Sequence, residues 1–157
     1  MTYTQPAPVS ATATVIGLSF ELKTPRERVW RAITEEIAAW WPRELHCGGA
    51  DARMSFDARL GGHLAEQWGS GSGLIWYTVI AIEPGASLDL AGHVTAKFGG
   101  PAVSQLSIRL EEKNGVTKIS IHDGVIGPQR PDVNQRIAEG WSLAFGNSLR
   151  HHLESAP

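Results

Sequence analysis

Thr24-Pro25-Arg26-Glu27-Arg28-Val29-Trp30-Arg31-Ala32-Ile33, running on to Trp40-Trp41-Pro42, decides how the rest of this chain is read. Thr24 is an N-cap residue type, Pro25 suits the first helical position, and Glu27 stands three residues after Thr24, the spacing of a capping box. Val29, Trp30, Ile33 and Ile37 recur at helical spacing until Pro42 stops the pattern. One or two short helices are therefore predicted from residue 25 to about 40. A second helical stretch opens at Pro131-Asp132 and carries Gly140-Trp141, with Asp132 as its expected N-cap and an end near Leu153. Nearly everything else reads as β-strand.

Residues 12 to 22 form a first strand by composition and partial alternation. After a loop at 43 to 51, strands are predicted at Ala52–Leu60, His63–Trp68, Leu74–Ile82, Ser87–Val94, Val103–Glu111 and Val116–His122. Gly61-Gly62, Gly69 to Gly73, Pro84-Gly85 and Asn114-Gly115 separate them, and Asn-Gly marks the clearest hairpin. Gly124 to Pro131 reads as a loop. The order β-αα-β6-α is α+β: an antiparallel sheet with one long C-terminal helix and two short helices after the first strand.

The bulk properties exclude several classes. The chain has 157 residues, 42% of them hydrophobic and 19% charged, with a net charge of −2. That length suits a single domain, expected over 12–157, after a Thr/Pro/Ala-rich leader at 1–11 that carries neither a positive nor an apolar signal region. The charge gives no basic footprint for nucleic acid. No apolar run is long enough for a membrane-spanning helix. Cys47 is the only cysteine, so no intramolecular disulfide forms, and a cytoplasmic monomer or homodimer is expected.

The residues now in hand resemble a known group. Thr24-Pro25-x-x-x-Val29-Trp30-x-Ala32-Ile33-Thr34, then Trp40-Trp41-Pro42, Gly61-Gly62 with Glu66 four residues on, Trp76-x-x-Val79 before Glu83-Pro84, and Gly140-Trp141 look like the SRPBCC (START/Bet v 1-like) superfamily. Within it they look most like bacterial proteins related to the C-terminal domain of the activator of Hsp90 ATPase. The resemblance implies a helix-grip fold, a curved antiparallel sheet wrapped around the C-terminal helix, and a hydrophobic cavity. It does not imply one function, because members bind lipids, polyketides or hormones, and a few catalyse cyclisation.

The C-terminal helix is read as a cavity wall. Val133, Ile137, Gly140, Trp141, Ala144, Phe145 and Ser148 share one face of a helical wheel. Gly140, Ala144 and Ser148 are small, which fits either close packing on the sheet or space for a ligand. Glycine within a helix costs about 1 kcal/mol relative to alanine, so Gly140 wants a reason. The expected ligand-binding walls are Trp76, Leu88, Leu90, Leu106, Ile108, Trp141, Ala144 and Phe145, with Trp40 and Trp41 near the mouth.

Glu66 is the one candidate for catalysis. Alternation groups it with Leu64 and Trp68. As a carboxylate inside an apolar cavity it would act as a general base or anchor a ligand hydroxyl among the ligand-binding residues; the alternatives are that a strand bulge turns it outward or that Arg53 or Arg59 neutralises it. His63, His93 and His122 lack the spacing that fixes metal ligands locally, and His46-Cys47 lacks a second pair, so no metal is expected. No Ser/His/Asp order, P-loop or dinucleotide fingerprint is present, and no cofactor is expected. The first reading is a binding protein for an apolar or amphipathic small molecule. The alternatives are a module that docks on a chaperone or another protein partner, and a cyclase- or hydrolase-type enzyme using Glu66.

Overall fold

The outer strands and the helices meet through alternation that is legible residue by residue. The computed structural model of the chain describes residues 8–128 and 132–155. The strands are β1 (Thr12–Leu22), β2 (Arg53–Phe56), β3 (His63–Trp68), β4 (Ser72–Glu83), β5 (Ser87–Val94), β6 (Ala102–Lys113) and β7 (Val116–Gly127). They form one sheet in the order β1-β7-β6-β5-β4-β3-β2, each neighbouring pair antiparallel. In β7, Thr117, Ile119, Ile121, Asp123 and Val125 point inward and Lys118, His122 and Ile126 outward, the period-two pattern of a sheet with one covered face. Asn114 and Gly115 both have positive φ, 54° and 74°, as the two-residue turn between β6 and β7 requires.

Helices α1 (Arg26–Glu35) and α2 (Ile37–Trp40) close one end of the sheet. The capping box does not form. Pro25 flanks the helix in an extended conformation, and no side chain of the helix caps it. The Arg26 N–H instead donates to Glu112 Oε2 of β6 at 2.7 Å, and the Thr24 carbonyl accepts from Thr117 Oγ1 of β7 at 2.6 Å. A full carboxylate beside the unsatisfied N–H groups of a helix start satisfies one of them and complements the dipole.

Two strand boundaries also differ from expectation. Of the stretch to Leu60, strand β2 covers Arg53–Phe56, and the Asp57 N–H still donates to the His63 carbonyl of β3 at 3.0 Å; the chain then turns through Gly62, held by Arg59 N–H to Asp57 O and Gly62 N–H to Arg59 O. Strand β7 runs on through Gly124 to Gly127, because β1 and β6 both continue beside it, pairing Thr12 with Gly127 and Val103 with Ile126.

The C-terminal helix has three parts: α3 (Val133–Trp141), a stretch of wide π-type turns (Ser142–Leu149), and α4 (Arg150–Ser155). Asp132 makes no side-chain cap; its carboxylate lies 3.8 Å from the Arg136 guanidinium. Pro131 lies outside the described residues. The wide turns carry more residues per turn than an α-helix, which shifts the inward face. Leu149 and Leu153 are therefore buried while Ser148 is only half-buried. Gly146, which the helical wheel turns away from the core, sits against β1: a Cβ there would stand 2.8 Å from Phe20 Cε1. No helix among the described residues is long and apolar enough to cross a membrane.

Candidate functional site

Six tryptophans divide by what their indole N–H groups meet. Trp40, at the end of α2, donates to the Ala32 carbonyl at 2.8 Å and packs its ring on Phe145. It belongs to the packed core, together with Leu88, Leu90, Leu106, Ile108, Ala144 and Phe145, all buried. Trp41, Trp76 and Trp141 instead meet at a cavity. Trp41 lies edge-on to both others, with ring centroids 5.4 Å from Trp76 and 6.4 Å from Trp141.

The space measures about 200 Å³, is partly open to solvent, and lies between the sheet and the middle and end of α3. Its walls are Trp41 and Leu45 from the segment after α2, Trp76 and Tyr77 of β4, Val94, Ser104, Asp123 and Val125 of the central strands, and Arg136, Ile137, Gly140 and Trp141 of α3. Gly140 has room: a Cβ there would meet only Leu45 Cδ2, at an ordinary 3.6 Å. An adjoining hollow of about 180 Å³ shares Trp76, Tyr77, Val94 and Ser104 and reaches Cys47 and Phe98. Another of about 390 Å³ shares Val94, Val125, Arg136 and Ile137. Of the residues expected from sequence to line a cavity, Trp41, Trp76 and Trp141 do so here; Ala144 and Phe145 face the packed sheet one turn further along the helix.

Two buried carboxylates flank this space, each holding an indole. Asp123 is 2% exposed and sits on the cavity wall. Its Oδ1 accepts from Ser104 Oγ at 2.6 Å, and its Oδ2 accepts from Trp141 Nε1 at 2.8 Å and from the Tyr77 hydroxyl at 3.4 Å. Tyr77 and Ser104 are also joined to each other, at 3.0 Å. Burial, and then the negative charge of Asp123, push the Tyr77 phenol far above its usual range, so it stays protonated and donates. Sequence reasoning missed Asp123, Ser104 and Tyr77. Extending the alternation of Ile119 and Ile121 by one step would have put Asp123 on the inward face.

Glu66 points inward and is fully buried. Its Oε1 accepts from the backbone N–H of Cys47 at 2.8 Å and of Gly48 at 2.9 Å and lies 3.2 Å from His46 Nδ1, while Oε2 accepts from Trp76 Nε1 at 3.0 Å. Neither Arg53 nor Arg59 neutralises it; Arg59 pairs with Asp57. The carboxylate is spent on holding the 46–48 loop and orienting Trp76, and a base needs a free lone pair. Burial, with the charge of Glu66, pushes the Cys47 thiol up despite Lys97, which suits an inert thiol rather than a nucleophile. His63 bonds Thr78, His152 bonds Glu36, and no group of three His, Cys, Asp or Glu side chains arranged to hold a metal occurs among the described residues.

The Trp41 N–H is the only buried side-chain nitrogen or oxygen among the described residues that lacks a hydrogen-bond partner.

Residues 23–154 match the family described as Activator of Hsp90 ATPase homolog 1-like protein. The chain belongs to that family. Solved structures agree on the helix-grip fold. This family member is 23% identical to an uncharacterised protein from Rhizobium leguminosarum, covering 94% of this chain and 98% of that one at a TM-score of 0.72. It is 22% identical to a protein from Chromobacterium violaceum, with 90% and 98% covered and a TM-score of 0.68. It is 12% identical to Ara h 8.0201, with 92% and 100% covered and a TM-score of 0.68. No curated protein matches the chain. In this family member three indoles and the buried carboxylate of Asp123 line one space, and Glu66, outside that lining, holds Trp76.

Proposed function

We propose that this protein binds an apolar or amphipathic small molecule in the cavity under α3. The observation that carries the reading is a space of about 200 Å³ whose wall is mostly aromatic and aliphatic, with one polar cluster at Asp123. Ligand sites commonly have this form, an apolar concavity with a few placed polar groups. Gly140 supports it: close packing does not demand a glycine there, whereas a void beside the helix uses the missing side chain. For size, an engineered cavity of ~150 Å³ takes up benzene, so this one suits a body of one or two rings.

A neutral two-ring probe, 2-naphthylmethanol, tests the reading by quenching of tryptophan fluorescence and by calorimetry. Saturable binding to the wild type, lost in Gly140→Leu, is the expected result. Binding unaffected by Gly140→Leu, or no binding at all, would overturn it.

The protein-partner reading rests on the family description, and pull-down with a bacterial Hsp90 followed by an ATPase assay tests it. The enzyme reading is the weaker alternative, because the donors around Glu66 already occupy both its oxygens.

A further inference from the structure

We propose that the ligand of this cavity is a protonated amine on a one- or two-ring apolar body, its N–H groups bonded to Asp123 and its charge set among the surrounding aromatic rings. The inference rests on the pocket reading above and adds the sign of the ligand's charge.

The argument begins with an unmatched charge. Asp123 is buried, and its partners Ser104, Tyr77 and Trp141 are all neutral donors. No lysine, arginine or histidine pairs with it among the described residues. A carboxylate taken from water without a counter-charge is costly, and a cation delivered by a ligand removes that cost. Asp123 also has capacity to spare. A carboxylate offers about four lone-pair sites. Here three donors reach it, one at a long 3.4 Å. Asp123 borders the space, and on this inference its remaining lone-pair site goes to an occupant.

The walls favour the same sign. Trp41, Trp76, Tyr77 and Trp141 line the space, and aromatic faces attract cations through their quadrupole. Trp76 and Trp141 each donate the indole N–H to a carboxylate, Glu66 and Asp123. An anion at the N–H pushes electron density into the ring and deepens that attraction.

The positive group on the wall is Arg136. Its side chain is 68% exposed and its guanidinium lies 3.8 Å from the Asp132 carboxylate, so it stands at the rim facing water. Among the described residues no cation lies inside the space, so an anionic ligand would meet Asp123 with nothing there to offset it.

Calorimetry on the full chain at neutral pH with three matched probes decides the matter: 2-naphthylmethylamine, 2-naphthylmethanol and 2-naphthoate. The amine is expected to bind roughly tenfold tighter than the alcohol, as a desolvated cation among aromatic rings warrants, and naphthoate weakest. Gly140→Leu should abolish binding of all three. Asp123→Asn should bring the amine down to the alcohol. If Asp123→Asn does not fold, the wild-type order and its loss in Gly140→Leu carry the decision.

Equal or tighter binding of the alcohol or naphthoate overturns the inference and leaves the pocket reading standing. A folded Asp123→Asn that keeps the full amine preference overturns it too. Failure of all three probes to bind overturns both.

Discussion

The two halves of the C-terminal helix meet the same sheet in opposite ways. From Ala144 onward, Phe145, Leu149 and Leu153 are buried, and Gly146 lets the backbone approach Phe20 of β1. From Val133 to Gly140 no residue is fully buried, and the space beneath is a cavity. Trp141 is the junction: its ring packs on Phe145 at 5.8 Å on one side, and its N–H reaches the cavity-wall carboxylate of Asp123 on the other. The difference shows that a stripe of small residues has no single meaning. Gly140 and Ala144 are one helical turn apart and look alike in the sequence, yet one borders space and the other a packed interior.

The largest effect is expected at the junction. Trp141→Ala removes a buried aromatic and leaves Asp123 with one fewer donor, and should cost roughly 3–5 kcal/mol in urea unfolding. A loss below about 1 kcal/mol would mean that Trp141 lies in a wet, open cleft and would dissolve the contrast.

The same side chain added one turn apart sharpens it. Ala144→Leu overpacks the closed half and should cost about 1–3 kcal/mol. Gly140→Leu enters the cavity and relieves a helix-interior glycine, so it should leave stability unchanged or raise it by about 1 kcal/mol. Equal losses in the two variants would place both residues in one continuous core.

The first prediction also marks the limits of reading the chain as a string. Strand β3 and strand β5 carry their own punctuation, Gly61-Gly62 and Pro84-Gly85, and their ends were legible. The Asp123 cluster was not, because its partners lie 18, 19 and 46 residues away and only the closed sheet brings them together. A buried aspartate also looks locally like the end of a strand. The wheel that grouped Ser148 with the core assumed 100° per residue throughout; the wide turns of 142–149 break that assumption and bring in Leu149. The capping box failed for a similar reason. Thr24 and Glu27 were suited to it, but Glu112 from another strand took the helix start.

A smaller effect is expected where α4 is tied to the short helices. The hydrogen bond from His152, opposed by partial burial and aided by Arg28, holds the Glu36 carboxyl below its ordinary 4.5. Because the folded state holds this proton less tightly than the unfolded chain, the stabilisation is present above that value and is lost as pH falls through the folded one. Glu36→Gln should therefore flatten the acid limb of stability against pH, by a modest amount given its partial exposure. An acid limb identical to the wild type would show the pair to be idle.

The central claim is that a ligand enters beneath the first half of the helix and nowhere in the second. The indole region of a ¹⁵N–¹H correlation spectrum, assigned by single Trp→Phe variants and titrated with 2-naphthylmethylamine, tests it directly. Trp41, Trp76 and Trp141 line the cavity, whereas Trp40 is bonded to Ala32 and packed on Phe145. The account expects the indole signals of Trp41, Trp76 and Trp141 to shift with one common saturation curve while that of Trp40 stays in place. Unmoved cavity indoles, or a Trp40 signal that shifts as far as theirs, would contradict it.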